Sequence, residues 1–344
     1  MRNQLLARSR SARSGLPLIY HPIYSVPLPA NHPFPMAKFA RLEQWLRNSN
    51  SADELSFIEP PRATAEQLQR AHCAGYVERF CAGQLSAKEL RRIGLPWSQQ
   101  LADRTVTAVG GTIATVNAAL QHGLAGHLAG GTHHAHREFG AGYCIFNDLA
   151  VAALEVLAIG AVERLIIVDL DVHQGDGSAE ILKDEPRAFT FSMHAAKNFP
   201  ARKKLSDYDV PLESGLDDAG YLQALAQHLP RALEESAAEL VIFDAGIDVH
   251  AGDRLGLLNI SDDGLRQRER YVINLARDAG LPVAAVIGGG YDRDLEALTR
   301  RHAVVHQALL SRWRYEHEAD YAPGYELDYE SDYEPGPDKE IADA

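Results

Sequence analysis

From residue 124 onward the chain alternates short apolar, β-branched runs with longer segments whose apolar residues recur at helical spacing. Residues 124–128, 164–168, 188–193, 239–243 and 281–287 read as strands, and 147–157, 178–182, 217–236, 262–279 and 292–313 as helices. Antiparallel strands can be joined by a turn, whereas parallel strands need a crossover, usually a helix. The alternation therefore predicts an α/β fold, a single parallel β-sheet flanked by helices on both faces. With 344 residues and 46% hydrophobic side chains, one domain of about 300 residues can fill its own core. Upstream, 16–20 reads as a first strand, 36–47 and 98–120 as helices, and Thr64 with Glu66 and Gln67 as a helix start. Residues 21–35 are rich in Pro and His and form a loop. Gly110 and Gly111 weaken the middle of the long helix but allow close packing.

Ligands of such sheets bind beyond the carboxyl ends of the strands, so the residues just after each strand carry the functional signal. The five ends read Gly-Gly-Thr-His-His-Ala-His (130–136), Asp-Leu-Asp-Val-His (169–173), His194, Asp-Ala-Gly-Ile-Asp-Val-His (244–250) and Gly-Gly-Gly-Tyr (288–291). In an extended chain Asp169, Asp171 and His173 share one face. An unpaired buried carboxylate is costly, and a cation removes the cost; Asp and His together suit zinc or a similar divalent ion. The bland alternative is a strand end whose polar groups bond to neighbouring loops. His133 and His134 can reach one site only from a turn, which Gly130 and Gly131 permit; otherwise one lies in the core and one at the surface. Asp169 and Asp176 are placed to stand behind the imidazoles and fix their tautomers. The combination points to a hydrolytic metal site.

Charge excludes some partners. Of the net −13, −10 belongs to residues 316–344, where eleven acids face Lys339 alone, so the body carries about −3. No nucleic-acid-binding surface is expected of it. No apolar run reaches the roughly 18 residues of a membrane span. Cys73, Cys81 and Cys144 form no Cys-x-x-Cys pair, which fits a reducing cytoplasm and no thiolate metal site. The expected organisation is a disordered extension over 1–15, with four arginines and no acid, a catalytic domain over 16–315, and an acidic disordered tail over 316–344. A transit peptide is the alternative for the extension.

Taken together, Gly-Gly-Thr-His-His-Ala, Gly142-Tyr-Cys-Ile-Phe-Asn-Asp148, Asp169-Leu-Asp-Val-His-Gln-Gly-Asp-Gly177, Asp248-Val-His-Ala-Gly-Asp-Arg-Leu-Gly256 and Gly288-Gly-Gly-Tyr291 resemble the motif set of the zinc-dependent histone deacetylase family. The resemblance covers about residues 16–313. Tyr20-His-Pro, Pro33-Phe-Pro-Met-Ala-Lys38 and residues 257–274 look most like the class IV branch and its bacterial relatives. The resemblance implies the arginase-deacetylase fold and removal of acetyl or longer acyl groups from lysine ε-amines of protein or peptide. It implies one zinc per chain on Asp171, His173 and Asp248, with an open position for water. His134, paired to Asp176, matches the general base; His133, paired to Asp169, matches a second, charged histidine; Tyr291 matches the oxyanion donor. Gly142 matches a carbonyl that receives the substrate, and Tyr143 and Phe199 match channel walls. Asn-Phe-Pro-Ala-Arg around Phe199 departs from the Tyr-Pro-Gly pattern of many members, which bears on the acyl group accepted. Asp169, Asp171, His173, Ser192 and Met193 match a structural potassium site. Cys144 and Asn147 read as structural, Asp253 and Arg254 as shaping a loop, and His136, His194 and His250 as lying behind the ligands or at the surface. Three other readings use the same residues: an acetylpolyamine amidohydrolase, a two-metal arginase-like enzyme, and a non-catalytic acyl-lysine binder.

Overall fold

The computed structural model describes residues 15–317; the extension and nearly all of the acidic tail expected from the sequence lie outside the described residues. Eight strands among them form one sheet, every pairing parallel: β1 Leu16–Ile19, β2 Leu55–Ile58, β3 Leu124–His127, β4 Leu165–Asp169, β5 Ala188–Ala195, β6 Tyr208–Leu212, β7 Val241–Asp244 and β8 Val283–Val286. The spatial order is β2-β1-β3-β8-β7-β4-β5-β6. The inner strands β3, β4, β7 and β8 are buried at every position, as their unbroken apolar runs require.

The helices are α1 Lys38–Arg47, α2 Ala65–Ala71, α3 Ala74–Cys81, α4 Ala87–Ile93, α5 Gln99–His122, α6 Asp148–Ala158, α7 Asp176–Leu182, α8 Asp218–Ser236, α9 Asp262–Asp278 and α10 Leu295–His317. One layer runs through α2, α6 and α5, the other through α1, α10, α9 and α8. The Thr64 start of α2 is a full capping box, Thr64 and Gln67 each receiving the other's backbone N–H. Two strands escape a reading of hydrophobic pattern: β2 and β6, the two edges of the sheet. Edge strands bury one side at most, and β6 carries Pro211, which only an edge tolerates. The short helices α3 and α4 were likewise not anticipated. Helix α10 runs through Glu316, which receives hydrogen bonds from Arg277 and Arg312, so the ordered domain outlasts the boundary expected at 315.

Gly110 and Gly111 do allow close packing. A Cβ on Gly110 would strike the Pro61 carbonyl and one on Gly111 the Tyr24 hydroxyl and the His127 ring. Both neighbours are held, so Gly111→Ala should destabilise the fold by about 1–3 kcal/mol or more, read as a lowered midpoint in denaturant.

Acid should loosen this core. Burial pushes His72 and His306 down to about 4 and His127 down to about 3. His72 accepts the Asn147 N–H on Nε2 and meets the His136 carbonyl through Nδ1, which fixes a neutral tautomer. The unfolded chain takes up these protons near its ordinary pKa of about 6.5, before the folded one does. The stability they contribute is therefore present above about pH 6.5 and lost as pH falls toward 4, by up to about 1.4 kcal/mol per pH unit for each histidine. The melting temperature should drop from pH 7 to pH 5; a flat profile would contradict the neutral-histidine assignment.

Candidate active site

All five anticipated strand ends open on one edge of the sheet. Two carboxylate–imidazole pairs lie side by side there. His133 Nδ1 is 2.9 Å from Asp169 Oδ2, and His134 Nδ1 is 2.7 Å from Asp176 Oδ1. The two rings meet through their Nε2 atoms at 3.2 Å. Both histidines are buried. They reach one site because the chain turns at Gly130 and Gly131, both at positive φ, and because the Gly131 and Thr132 N–H groups are tied to Asp148. Thus neither histidine is a surface residue.

Contrary to the expectation from strand alternation, Asp169 does not share a face with Asp171 and His173. Strand β4 ends at Asp169, and the chain bends over the next residues. Asp169 turns to His133, whereas Asp171 and His173 turn to Asp248. The break has a local cause: the Asp169 and Asp171 carboxylates accept the backbone N–H groups of Asp171 and His173, two residues on.

Asp171, His173 and Asp248 each offer a ligand atom within 4.8 Å of the others. His173 Nδ1 stands 2.9 Å from Asp171 Oδ1 and 3.1 Å from Asp248 Oδ2. All three are buried. Burial, helped by the neighbouring Asp171, lifts Asp248 to about 7; for His173 the two carboxylates outweigh burial and raise it to about 10. His173 Nδ1 is hydrogen-bonded to Asp171, whereas Asp248 Oδ2 is buried with no hydrogen-bond partner among the described residues, an oxygen a dication would satisfy. Only a glycine fits beside the group: the Gly289 N–H donates to Asp171 Oδ2, and a Cβ there would collide with that oxygen and with the unpartnered Asp248 Oδ2. Two oxygens and one nitrogen suit zinc or a similar divalent ion.

The two histidines are electrostatically unlike. Burial alone would depress His133, but Asp169 and Asp171 raise it well above its ordinary value. Burial, then the charge on His133, pushes His134 down to about 3 against the pull of Asp176. One ring is a standing cation and the other a neutral acceptor. Opposed neighbours of this kind have the chemistry to divide between stabilising charge and accepting a proton.

The walls are aromatic. Gly142 and Tyr143 both adopt left-handed backbone, φ 55° and 65°. That turn lays Gly142 on His134, where a Cβ would come within 2.8 Å of the ring, and brings the Tyr143 ring 5.8 Å from Tyr291. Phe199 stands edge-on to His134 at 4.7 Å and is 46% exposed, so it lies at the mouth, not in the core. Tyr291 lies 6.4 Å from the His173 ring; its N–H donates to Asp253, which also takes the Leu255 N–H and so shapes the loop as anticipated. Ser192 pairs in register with Asp169, and Met193 follows it, fully buried. His136 is buried against Asp176, His194 bonds Ser192, and His250 bonds the Gly252 N–H. Asn147 caps α6 and Cys144 is a buried free thiol.

Three residues went unassigned in the sequence. Lys38 is buried under the site, its Nζ 3.2 Å from the Gly288 carbonyl; burial brings it down to about 8 despite Asp248 and Asp171. Phe34, from the Pro-rich loop, packs 5.2 Å from Tyr143 and 6.3 Å from Tyr291. Asp244 is fully buried with neither oxygen partnered, 3.8 Å from His133 Nδ1, and makes with His133 and Asp169 a second potential ligand group. Burial and Asp169 push its carboxyl well above the usual range. A loop long for a compact domain was the signal for Phe34; for Asp244 the only signal was its place at a strand end.

With this geometry in hand, comparison with known proteins is informative. A histone deacetylase domain model matches residues 32–309. An uncharacterised protein of Picosynechococcus sp. is 49% identical over 294 residues, 86% of this chain and 98% of its own. Histone deacetylase 2 of Arabidopsis thaliana is 31% identical, over 76% of this chain and 70% of its own, and histone deacetylase clr6 of Schizosaccharomyces pombe 29%, over 76% and 68%. The fold matches the crystal structure of the HDA15 HD domain with a TM-score of 0.74 at 20% identity, covering 87% of this chain and 90% of that one. The eight-stranded parallel sheet, the paired histidines at its edge and the matched sequence agree: the chain belongs to the histone deacetylase domain family.

Proposed function

We propose that the protein is a zinc-dependent hydrolase that removes acetyl or longer acyl groups from lysine ε-amines of protein or peptide, from the class IV branch of its family. The observation that carries this is the facing of two unlike histidine–carboxylate pairs onto Asp171, His173 and Asp248. Zinc bound there supplies a Lewis acid for the scissile carbonyl and acidifies a water. His134, neutral and backed by Asp176, takes the proton of the attacking water and returns it to the leaving amine. His133, held charged by Asp169, stabilises the negative charge that develops. The Tyr291 hydroxyl donates to the carbonyl oxygen as it becomes an oxyanion. The Gly142 carbonyl accepts the amide N–H, and Tyr143, Phe199 and Phe34 flank the lysine stem. Potassium on Asp169, Asp171, His173, Ser192 and Met193 would brace the loop that presents the ligands. We place the protein in the cytoplasm, with no nucleic-acid partner; its three cysteines are free, and no helix of the described residues is long and apolar enough to cross a membrane.

An acetylpolyamine substrate is disfavoured by charge at the mouth. Lys197 and Arg202 lie on the Phe199 loop and Arg254 on the loop joined to it through Asn198 and Leu255; all three are exposed and make no ion pair among the described residues. They repel a polycation and leave a peptide without net positive charge unaffected. Zinc-loaded protein should therefore hydrolyse an acyl-lysine peptide with a kcat/KM at least about tenfold above that for acetyl-spermidine, the effect of about 1.4 kcal/mol of repulsion. The reverse order would favour the polyamine reading, and binding of the peptide without turnover the non-catalytic one.

A further inference from the structure

Helix α9 carries a fully buried ion pair, Arg268 with its neighbour Glu269. The pair is incompletely satisfied: Arg268 Nε and Glu269 Oε2 have no hydrogen-bond partner among the described residues. Buried ion pairs are a poor source of stability, because desolvation offsets their attraction and apolar residues of similar size often serve as well. The pair therefore needs another reason.

The guanidinium supplies one. A single nitrogen, Nη1, donates to the Leu170 carbonyl at 3.1 Å and to the Gly246 carbonyl at 2.8 Å. Leu170 forms the peptide bond to Asp171, and Gly246 lies two residues before Asp248. These are the strand-end loops of β4 and β7, which already touch through the Leu170 N–H and the Asp244 carbonyl, 3.1 Å. They approach so closely that a Cβ on Gly246 would sit 2.7 Å from Asp171 Cα. Glu269 keeps the arginine charged and aimed. Among the described residues, no other side chain hydrogen-bonds both carbonyls.

We propose that Arg268 is a positioning residue that clamps the Asp171 loop to the Asp248 loop and so sets the spacing of the two carboxylate ligands. This rests on the metal reading above, since it concerns the preorganisation of that donor set. Partners behind metal ligands typically change affinity about 10- to 100-fold when removed.

The test is zinc affinity and release rate, measured on the full chain by competition with a chromophoric chelator. Arg268→Met should bind zinc about 10- to 100-fold more weakly. Leu309→Ala, a cavity in α10 remote from both loops, lowers stability without touching them and should keep wild-type affinity. Arg268→Lys keeps a charge, but its single ammonium cannot replace both Nη1 on the two carbonyls and Nη2 on Glu269, so it should fold and release zinc at least threefold faster. It decides the matter if the methionine variant does not fold. Wild-type affinity and release in the folded Arg268 variants, or an equal loss in Leu309→Ala, would overturn the clamp. Failure of the wild-type chain itself to bind zinc would instead remove the metal reading.

Discussion

His134→Ala should lower kcat on an acyl-lysine peptide by about 10²- to 10⁴-fold, the usual worth of a positioned general base. The ring is the neutral one of the pair, buried, with Asp176 on its far nitrogen and the Gly142 turn on its face. Its loss removes the proposed proton acceptor and leaves the proposed zinc ligands untouched, so zinc affinity and KM should hold while kcat collapses. Asp176→Asn should follow in the same direction with a smaller effect, because the amide still orients the ring but no longer stabilises its protonated form. A comparable loss in KM alone would mean that His134 binds substrate and does not handle a proton.

Tyr291→Phe is the second large effect. Burial and the nearby Asp171 and Asp248 hold the phenol well above its ordinary pKa, so it remains a donor across the working range. A single oxyanion donor contributes about 10²- to 10³-fold in kcat. The phenylalanine keeps the ring contacts with Phe34 and Tyr143, which makes the hydroxyl the one thing removed. Rates within a few-fold of wild type would take Tyr291 out of the chemistry and leave it as a wall of the channel.

Much of the architecture is legible in the sequence because the inner strands are buried on both faces and so read as unbroken apolar runs. The two edge strands are not, since a strand with a half-wet surface such as Leu55–Ile58 carries no distinctive pattern. The proposed ligand residues are legible for a different reason: Asp, His and Gly clustered at strand ends have few structural uses. Their partition is not. Alternation alone puts Asp169 with Asp171 and His173, and only with the Asx-type bends after Asp169 does it pair with His133 while Asp171 and His173 group with Asp248. Lys38 and Arg268 look like ordinary helix-surface cations in sequence. Their burial depends on what α1 and α9 pack against, which no local pattern records. Asp244 illustrates the same limit, for its cost appears only once β4, β7 and the Gly131 turn close around it.

The proposed chemistry turns on a lone divalent ion held by two carboxylates and an imidazole, and equilibrium zinc stoichiometry is the decisive measurement. One tightly bound equivalent per chain is expected, abolished in Asp171→Ala and in Asp248→Ala and retained in Asp244→Asn. Two equivalents, the second lost in Asp244→Asn, would mean that His133, Asp169 and Asp244 also hold a metal, and would contradict both the single-ion centre and the charged role of His133.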